Sequence, residues 1–184
     1  MKRVIERGGW VAVVLGLVLV AGSVRSAPFA PDKLPEPVAT TFKTMFPNGT
    51  IDKLDAEEEE GVMIYDFEFH AGGREKEADI AGDGTMVEST LVITQKDIPP
   101  AAMKTIQAAA KGAKLGRCEW METYYELKEG KVIKMDKPMI KYAAEMTKNG
   151  KKAEVIVATD GKVVEKPEWV PIAPTKAPPE KTGQ

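Results

Sequence analysis

A chain of 184 residues, 43% apolar and 29% charged, has the make-up of one ordinary globular domain or of two small ones sharing a core, which sets aside fibrous, collagenous and wholly disordered classes. Its formal net charge is -2, and its Lys and Arg residues are interleaved with acids. No basic stripe is present to release phosphate counterions, so nucleic acid is not an expected partner.

Residues 1–26 read as a secretory signal peptide. Lys2, Arg3 and Arg7 form the positive start, Trp10 to Ala21 the apolar segment, and Val24-Arg25-Ser26 a small-residue cleavage site; Ala21-Gly22-Ser23 offers a second cut, after Ser23. The apolar run is shorter than the roughly 20 residues a membrane-crossing helix needs. The expectation is therefore a periplasmic or secreted protein with no membrane attachment once the leader is cleaved. The leader carries Lys2, Arg3, Arg7 and Arg25 against Glu6 alone, so its removal leaves a mildly acidic chain.

From Leu34 the apolar residues Leu34, Val38, Phe42 and Phe46 are spaced by four. This predicts a short amphipathic helix, with Pro35 and Pro37 near its first turn and Pro47-Asn48-Gly49 as its stop. A first strand follows over 51–57, then an acidic turn at Glu57-Glu58-Glu59-Glu60-Gly61, where like charges resist burial. In the next segment Met63, Tyr65, Phe67 and Phe69 alternate with Ile64, Asp66, Glu68 and His70, the period of a strand with one face on a core. Gly72-Gly73 makes a hairpin, Ala78 and Ile80 face inward, Asp83-Gly84 makes a second hairpin, and 86–93 is a fourth strand.

The stretch 62–88 returns 77 residues later as 139–165. Laid over each other without a gap, Tyr65/Tyr142, Glu68/Glu145, Gly73/Gly150, Glu77/Glu154, Ala81/Ala158, Asp83/Asp160, Gly84/Gly161, Val87/Val164 and Glu88/Glu165 are identical. The helix pattern also returns, as Ile98, Ala102, Ile106 and Ala110 with Pro99 and Pro100 at its start, but offset by 64 residues. The extra 13 residues between the second helix and Met139 lengthen a hairpin around Lys128-Glu129-Gly130-Lys131, with Trp120, Tyr124 and Tyr125 on one arm. Beyond Trp169 the chain turns to Pro, Lys, Thr and Glu, the composition of a disordered tail.

The order Leu34-Pro35, Val38, Phe42, Phe46-Pro47, strand, acidic turn, aromatic strand, Gly hairpin and Asp83-Gly84 resembles the PepSY-like domain grouped with β-lactamase-inhibitor-like proteins, over about 34–169. The resemblance implies an α+β fold of two tandem repeats, each one helix packed on a four-stranded antiparallel sheet. It divides the chain into a signal peptide (1–26), repeat 1 (27–94), repeat 2 (95–169) and a disordered tail (170–184). It also implies a binding or inhibitory module of the bacterial envelope, tied to no reaction. The second repeat departs from the pattern in its smaller helix residues and enlarged hairpin.

No catalytic constellation is found, and neither an enzyme nor a cofactor is expected. His70 is the only histidine, and its phase puts it on the face away from the aromatic row, a surface strand residue with no second His or Cys to complete a zinc site. Asp79, Asp83 and Gly84 fall short of a calcium loop, because Ala81 stands where an oxygen ligand is needed and Thr90 where the closing Glu belongs. Ser89 lies in no nucleophile-elbow context and there is no phosphate-binding glycine loop. Cys118, the single cysteine, forms no internal disulfide; a buried, inert position in a strand is expected. The candidate contact residues for a protein or peptide partner are Trp120, Tyr124 and Tyr125, aromatic side chains on a long hairpin. The function expected is an exported, non-catalytic binding or inhibitory module for a protein or peptide. The alternative is an envelope small-ligand or divalent-metal-ion sensor using the acidic loop and His70.

Overall fold

The structure, a computed structural model, describes residues 34–172; the expected signal peptide (1–26) and all but the first three residues of the expected tail (170–184) lie outside the described residues, and Val170–Pro171 of that tail form a short strand. In chain order the elements are α1 (Glu36–Met45), β1 (Thr50–Glu59), β2 (Val62–Ala71), β3 (Arg74–Ala81), β4 (Met86–Ile93), a single 3-10 turn, α2 (Pro100–Ala110), β5 (Lys114–Lys128), β6 (Lys131–Lys148), β7 (Lys151–Ala158), β8 (Val163–Glu165) and β9 (Val170–Pro171). The strands pair as an unbroken antiparallel meander from β1 to β8, with β9 on β7.

The expected pair of repeats, each a helix on its own four-stranded sheet, is not what forms. Strands occupy 59% and helices 17% of the described residues, and all nine strands belong to one sheet. The join is made where β4 meets β5, through pairs such as Leu91 with Trp120 and Ile93 with Cys118. Two separate sheets would each leave a row of backbone N–H and C=O groups unpaired at this line, and merging them satisfies both.

Both helices lie on one face of this sheet. Directly opposed residues share a face, and the cross-strand line Phe69, Lys76, Leu91, Trp120, Tyr142, Val157 runs from under α1 to under α2. Under α1, Val38 and Phe42 meet Leu54, Phe67, Phe69, Ala78 and Ile80; Phe42 stacks on Phe67 at 4.4 Å and meets Phe69 edge-on at 5.0 Å. Under α2, Ile98, Ala102, Ile106 and Ala110 meet Tyr142, Ala144, Met146, Val155 and Val157. The spacing-by-four pattern therefore marks the buried stripe of both helices.

Each Asp-Gly turn docks on the start of a helix. Thr41 Oγ1 donates to Gly84 O at 2.6 Å, and Thr105 Oγ1 donates to Gly161 O at 2.8 Å. Gly161 has φ +85°, and a Cβ built there would lie 2.6 Å from Ala101 O. Gly161→Ala is expected to cost about 2–3 kcal/mol, from the left-handed backbone and the displacement of α2. Urea unfolding would measure it, and a loss under about 1 kcal/mol would show that α2 docks more loosely than this contact requires.

The long hairpin bends out of the sheet. Thr123 pairs with Met139 but Tyr125 pairs with Lys134, so Met135, Asp136, Lys137 and Pro138 on β6 stand opposite Tyr124 alone. A bulge of this size, with a proline that cannot donate to the ladder, turns the strands away. The tip then returns over the sheet, and Gly130 N–H donates to Glu60 O at 2.5 Å. In a flat sheet those two turns would stand four strand spacings apart, about 19 Å. Tyr125, Leu127 and Val132 of this arm pack on Ile64, Ala81 and Val87, on the face opposite the helices.

A candidate binding face lined with carboxylates

The helix-free face takes the other half of every strand's alternation, and its composition is unlike that of the core. One cross-strand line reads Asp55, Asp66, Asp79, Glu88, Thr123; the next reads Lys53, Glu68, Glu77, Thr90, Met121, Lys141. Farther along, Glu119 shares the face with Ala143, Ile156 and Glu165, and Glu145 stands opposite Glu154. The buried polar residues, Asp66, Asp79, Glu88, Thr90, Glu119 and Lys141, all lie on this face. Such burial with no second layer above it means that the sheet curls inward here, helped by register shifts at Ile51/Lys53 and Asp79/Ile80 and by the arm closing one end.

Three cations of the chain answer some of these acids. Lys53 Nζ sits 2.7 Å from Asp55 Oδ2 and 2.8 Å from Glu68 Oε1 at the β1 edge. Arg117 donates through Nη1, Nη2 and Nε to Glu75, Glu77 and Glu119. Lys141 Nζ donates to Glu88 Oε2 at 2.7 Å, and Thr123 Oγ1 donates to the same oxygen at 2.5 Å. Asp66 Oδ1, Asp79 Oδ1 and Glu88 Oε1 are buried without a hydrogen-bond partner among the described residues.

The electrostatic result is a face of reluctant anions. Burial, followed by the charge of Glu68, pushes Asp66 up to about 7, against the pull of Lys53. Burial and the charges of Glu88 and Asp66 hold Asp79 well above the usual carboxylate range. Glu59 is pushed to about 7, by burial and then by its hydrogen bond with Glu57. Glu154 rises to about 8, by burial and the charge of Glu119, and Glu165 to about 7, chiefly by burial.

The structure separates the three aromatic candidates. Trp120 lies half-buried against the α2 core and Tyr124 half-buried against the α1 core, its hydroxyl donating to Glu122 Oε2 at 2.8 Å. Tyr125 alone is on the helix-free face, within the arm's apolar contact. The expected acidic turn is shorter than the sequence suggested, because Glu57, Glu58 and Glu59 extend β1 and only Glu60-Gly61 turns, with Glu60 at φ 49°. His70 is exposed, with Nδ1 2.5 Å from Asp52 Oδ2. Among the described residues no group of three or more His, Cys, Asp or Glu is placed to hold a metal ion. The acids of the helix-free face are what sequence reasoning missed; the signal was there in Asp66, Asp79 and Glu88, which share one phase on consecutive strands.

No protein-family profile matches the chain, and no curated protein matches it. Solved structures do. A BLIP-like protein from Bacteroides fragilis superposes with a TM-score of 0.52 at 16% identity, over 83% of this chain and 96% of that one. A DUF2874 family protein from Bacteroides uniformis gives 0.53 at 18% identity, over 74% and 89%. A candidate periplasmic protein from Bacteroides eggerthii gives 0.52 at 15%, over 75% and 90%. At these identities the likeness concerns the fold, and no helix among the described residues is long and apolar enough to cross a membrane. One curled antiparallel sheet with both helices on its outer side is, in these terms, a BLIP-like fold.

Proposed function

We propose that the chain is a non-catalytic binding module of the bacterial envelope that holds a protein or peptide on the helix-free face of its sheet. The observation that carries this reading is the placement of every buried polar residue, among the described residues, on the one sheet face that neither helix covers. A face used only for stability would carry apolar side chains, since buried charges cost more than they return unless something pairs with them. The BLIP-like fold of the neighbours and the periplasmic designation of one of them agree with it. The β5–β6 arm forms one wall of the site, with Tyr125 on its inner side, while Trp120 and Tyr124 at its base set its angle through their grip on the two cores. The leader at 1–26 takes the chain to the periplasm. The halves 27–94 and 95–169 descend from one PepSY-like unit, as the matched contacts Thr41 to Gly84 and Thr105 to Gly161 suggest.

Site-specific photo-cross-linking in envelope preparations tests the reading. A cross-linker at exposed Glu145, on the helix-free face, is expected to capture a discrete protein that one at exposed Lys104, on α2, does not. Equal capture from both positions, or capture only from Lys104, would remove the face from consideration. Calorimetric heats with calcium or zinc that vanish in His70→Ala would instead favour an ion sensor.

A further inference from the structure

We infer that the Asp66–Asp79 pair is the seat for a cationic side chain, a lysine ammonium or an arginine guanidinium, presented by the partner held on the helix-free face. The inference rests on the binding-face reading above and adds the chemistry of the partner. The three cations ion-paired on this face are committed, Lys53 to Asp55 and Glu68, Arg117 to Glu75, Glu77 and Glu119, Lys141 to Glu88, and Lys152, opposite Thr147 on β7, lies four strands from Asp79. What is left over is the pair in the middle. Asp66 and Asp79 stand directly opposite each other in the β2–β3 ladder, between Asp55 on one side and Glu88 on the other.

Both are more than nine-tenths buried, at 5% and 4% exposure, and each keeps one carboxylate oxygen without a hydrogen-bond partner among the described residues. Facing like charges are destabilising, and an unmatched buried acceptor forfeits its full hydration. A single donor group between the two would relieve both costs. The neighbouring row shows the arrangement already made once, where the Lys53 ammonium sits between Asp55 and Glu68. Entry is from the β1 edge, where the side chains of Asp55 and Glu68 are 29% and 37% exposed. Two carboxylates with no third ligand suit the several N–H donors of an organic cation, whereas a divalent ion such as calcium gathers six or more oxygens. Before the partner arrives, burial favours the protonated acids; the incoming cation favours the carboxylates, and the protons pass to solvent.

The probe is an amidated Lys-Thr-Lys-Thr-Lys peptide, titrated into the protein at pH 7 in two buffers of different ionisation enthalpy. Binding is expected with heats that differ between the buffers, reporting proton release. Asp66→Asn combined with Asp79→Asn is expected to weaken it about tenfold or more and to abolish the buffer dependence. Glu57→Gln combined with Glu58→Gln removes the same charge from exposed positions and is expected to weaken it less than about threefold, as screened surface charges do. Both aspartate replacements remove repulsion, so that variant stays folded, with a melting temperature at pH 8 at or above that of the parent. No binding of the peptide, equal losses in the two double variants, or heats independent of buffer would each overturn the inference. Glu145 cross-linking that persists unchanged in the asparagine variant would sink the cation seat and leave the binding face standing; no capture from Glu145 in the parent, with peptide binding that the asparagine variant loses, would do the reverse.

Discussion

Replacing Lys141 with alanine is expected to lower the unfolding free energy by about 3–5 kcal/mol, the range seen when one member of a buried ion pair is removed. Lys141 and Glu88 have side chains 6% and 4% exposed and meet at 2.7 Å. Glu88 also stands directly opposite Asp79 across the β3–β4 ladder, with Oε1 already lacking a partner. Taking away the ammonium leaves Glu88 without a counter-charge beside Asp79 in a place that water does not reach, with only the Thr123 hydroxyl as compensation. The companion experiment is the double replacement Lys141→Met with Glu88→Leu. It removes the charge together with its counter-charge, and exchanges of that kind are commonly neutral or stabilising by about 1–4 kcal/mol. Urea unfolding at pH 7 distinguishes the cases. A loss under about 1 kcal/mol for the alanine variant would mean that Glu88 is answered by something other than this lysine.

The second large effect is a fall in stability as pH rises from about 4 to about 8, the reverse of the usual behaviour of carboxylates that are paired in the native state. Asp66, Glu59 and Glu165 hold their protons up to about 7 and Glu154 up to about 8, against unfolded values near 4. Between those limits the folded chain binds more protons than the unfolded one, so the slope of unfolding free energy with pH is negative. The extra stability is complete below the unfolded values and is lost as pH climbs through the folded ones. For Asp66, 5% exposed, the loss is on the order of 4 kcal/mol, and the others add to it. For a chain of this size each kcal/mol moves the melting temperature by about 2–4 °C. Scans at pH 5 and pH 8.5 should therefore differ by ten degrees or so, with the acidic sample the more stable. A melting temperature that rises over this interval would show that the face is already neutralised by internal cations. Asp66→Asn should flatten the curve.

How much of this could be read from the residues alone depends on whether the cause is local. Helix faces were legible because Val38 and Phe42, and Ala102, Ile106 and Ala110, sit at positions that one side of a helix must bury. The two-residue turn at Gly72-Gly73 was legible because its backbone needs positive φ. Tyr65, Phe67 and Phe69 were correctly placed on the core side of their strand, whereas Met63, in the same phase, is 42% exposed. The continuity of the sheet was not legible, since pairing between β4 and β5 depends on what α2 does between them. The helix-free face was misjudged for a related reason. Alternation says that Asp66, Asp79 and Glu88 point away from the aromatic row, and solvent was the natural assignment; nothing local announces that the sheet curls until that side is enclosed. Trp120, Tyr124 and Tyr125 read as one aromatic group because they are close in sequence, yet alternation and the bulge opposite Tyr124 send them to three different surroundings. Pro138, inside what became an 18-residue strand, was the available hint that the arm would leave the ladder.

The unbroken order from β1 to β8 bears on how the chain finds its shape. Every strand of that run neighbours the strand before it, so the longest excursion between adjacent partners is the one that carries α2 from β4 to β5. Strand pairing therefore joins consecutive elements, and only contacts made across the curl, such as Gly130 with Glu60, close a much longer loop. Assembly can spread hairpin by hairpin from either end and meet in the middle.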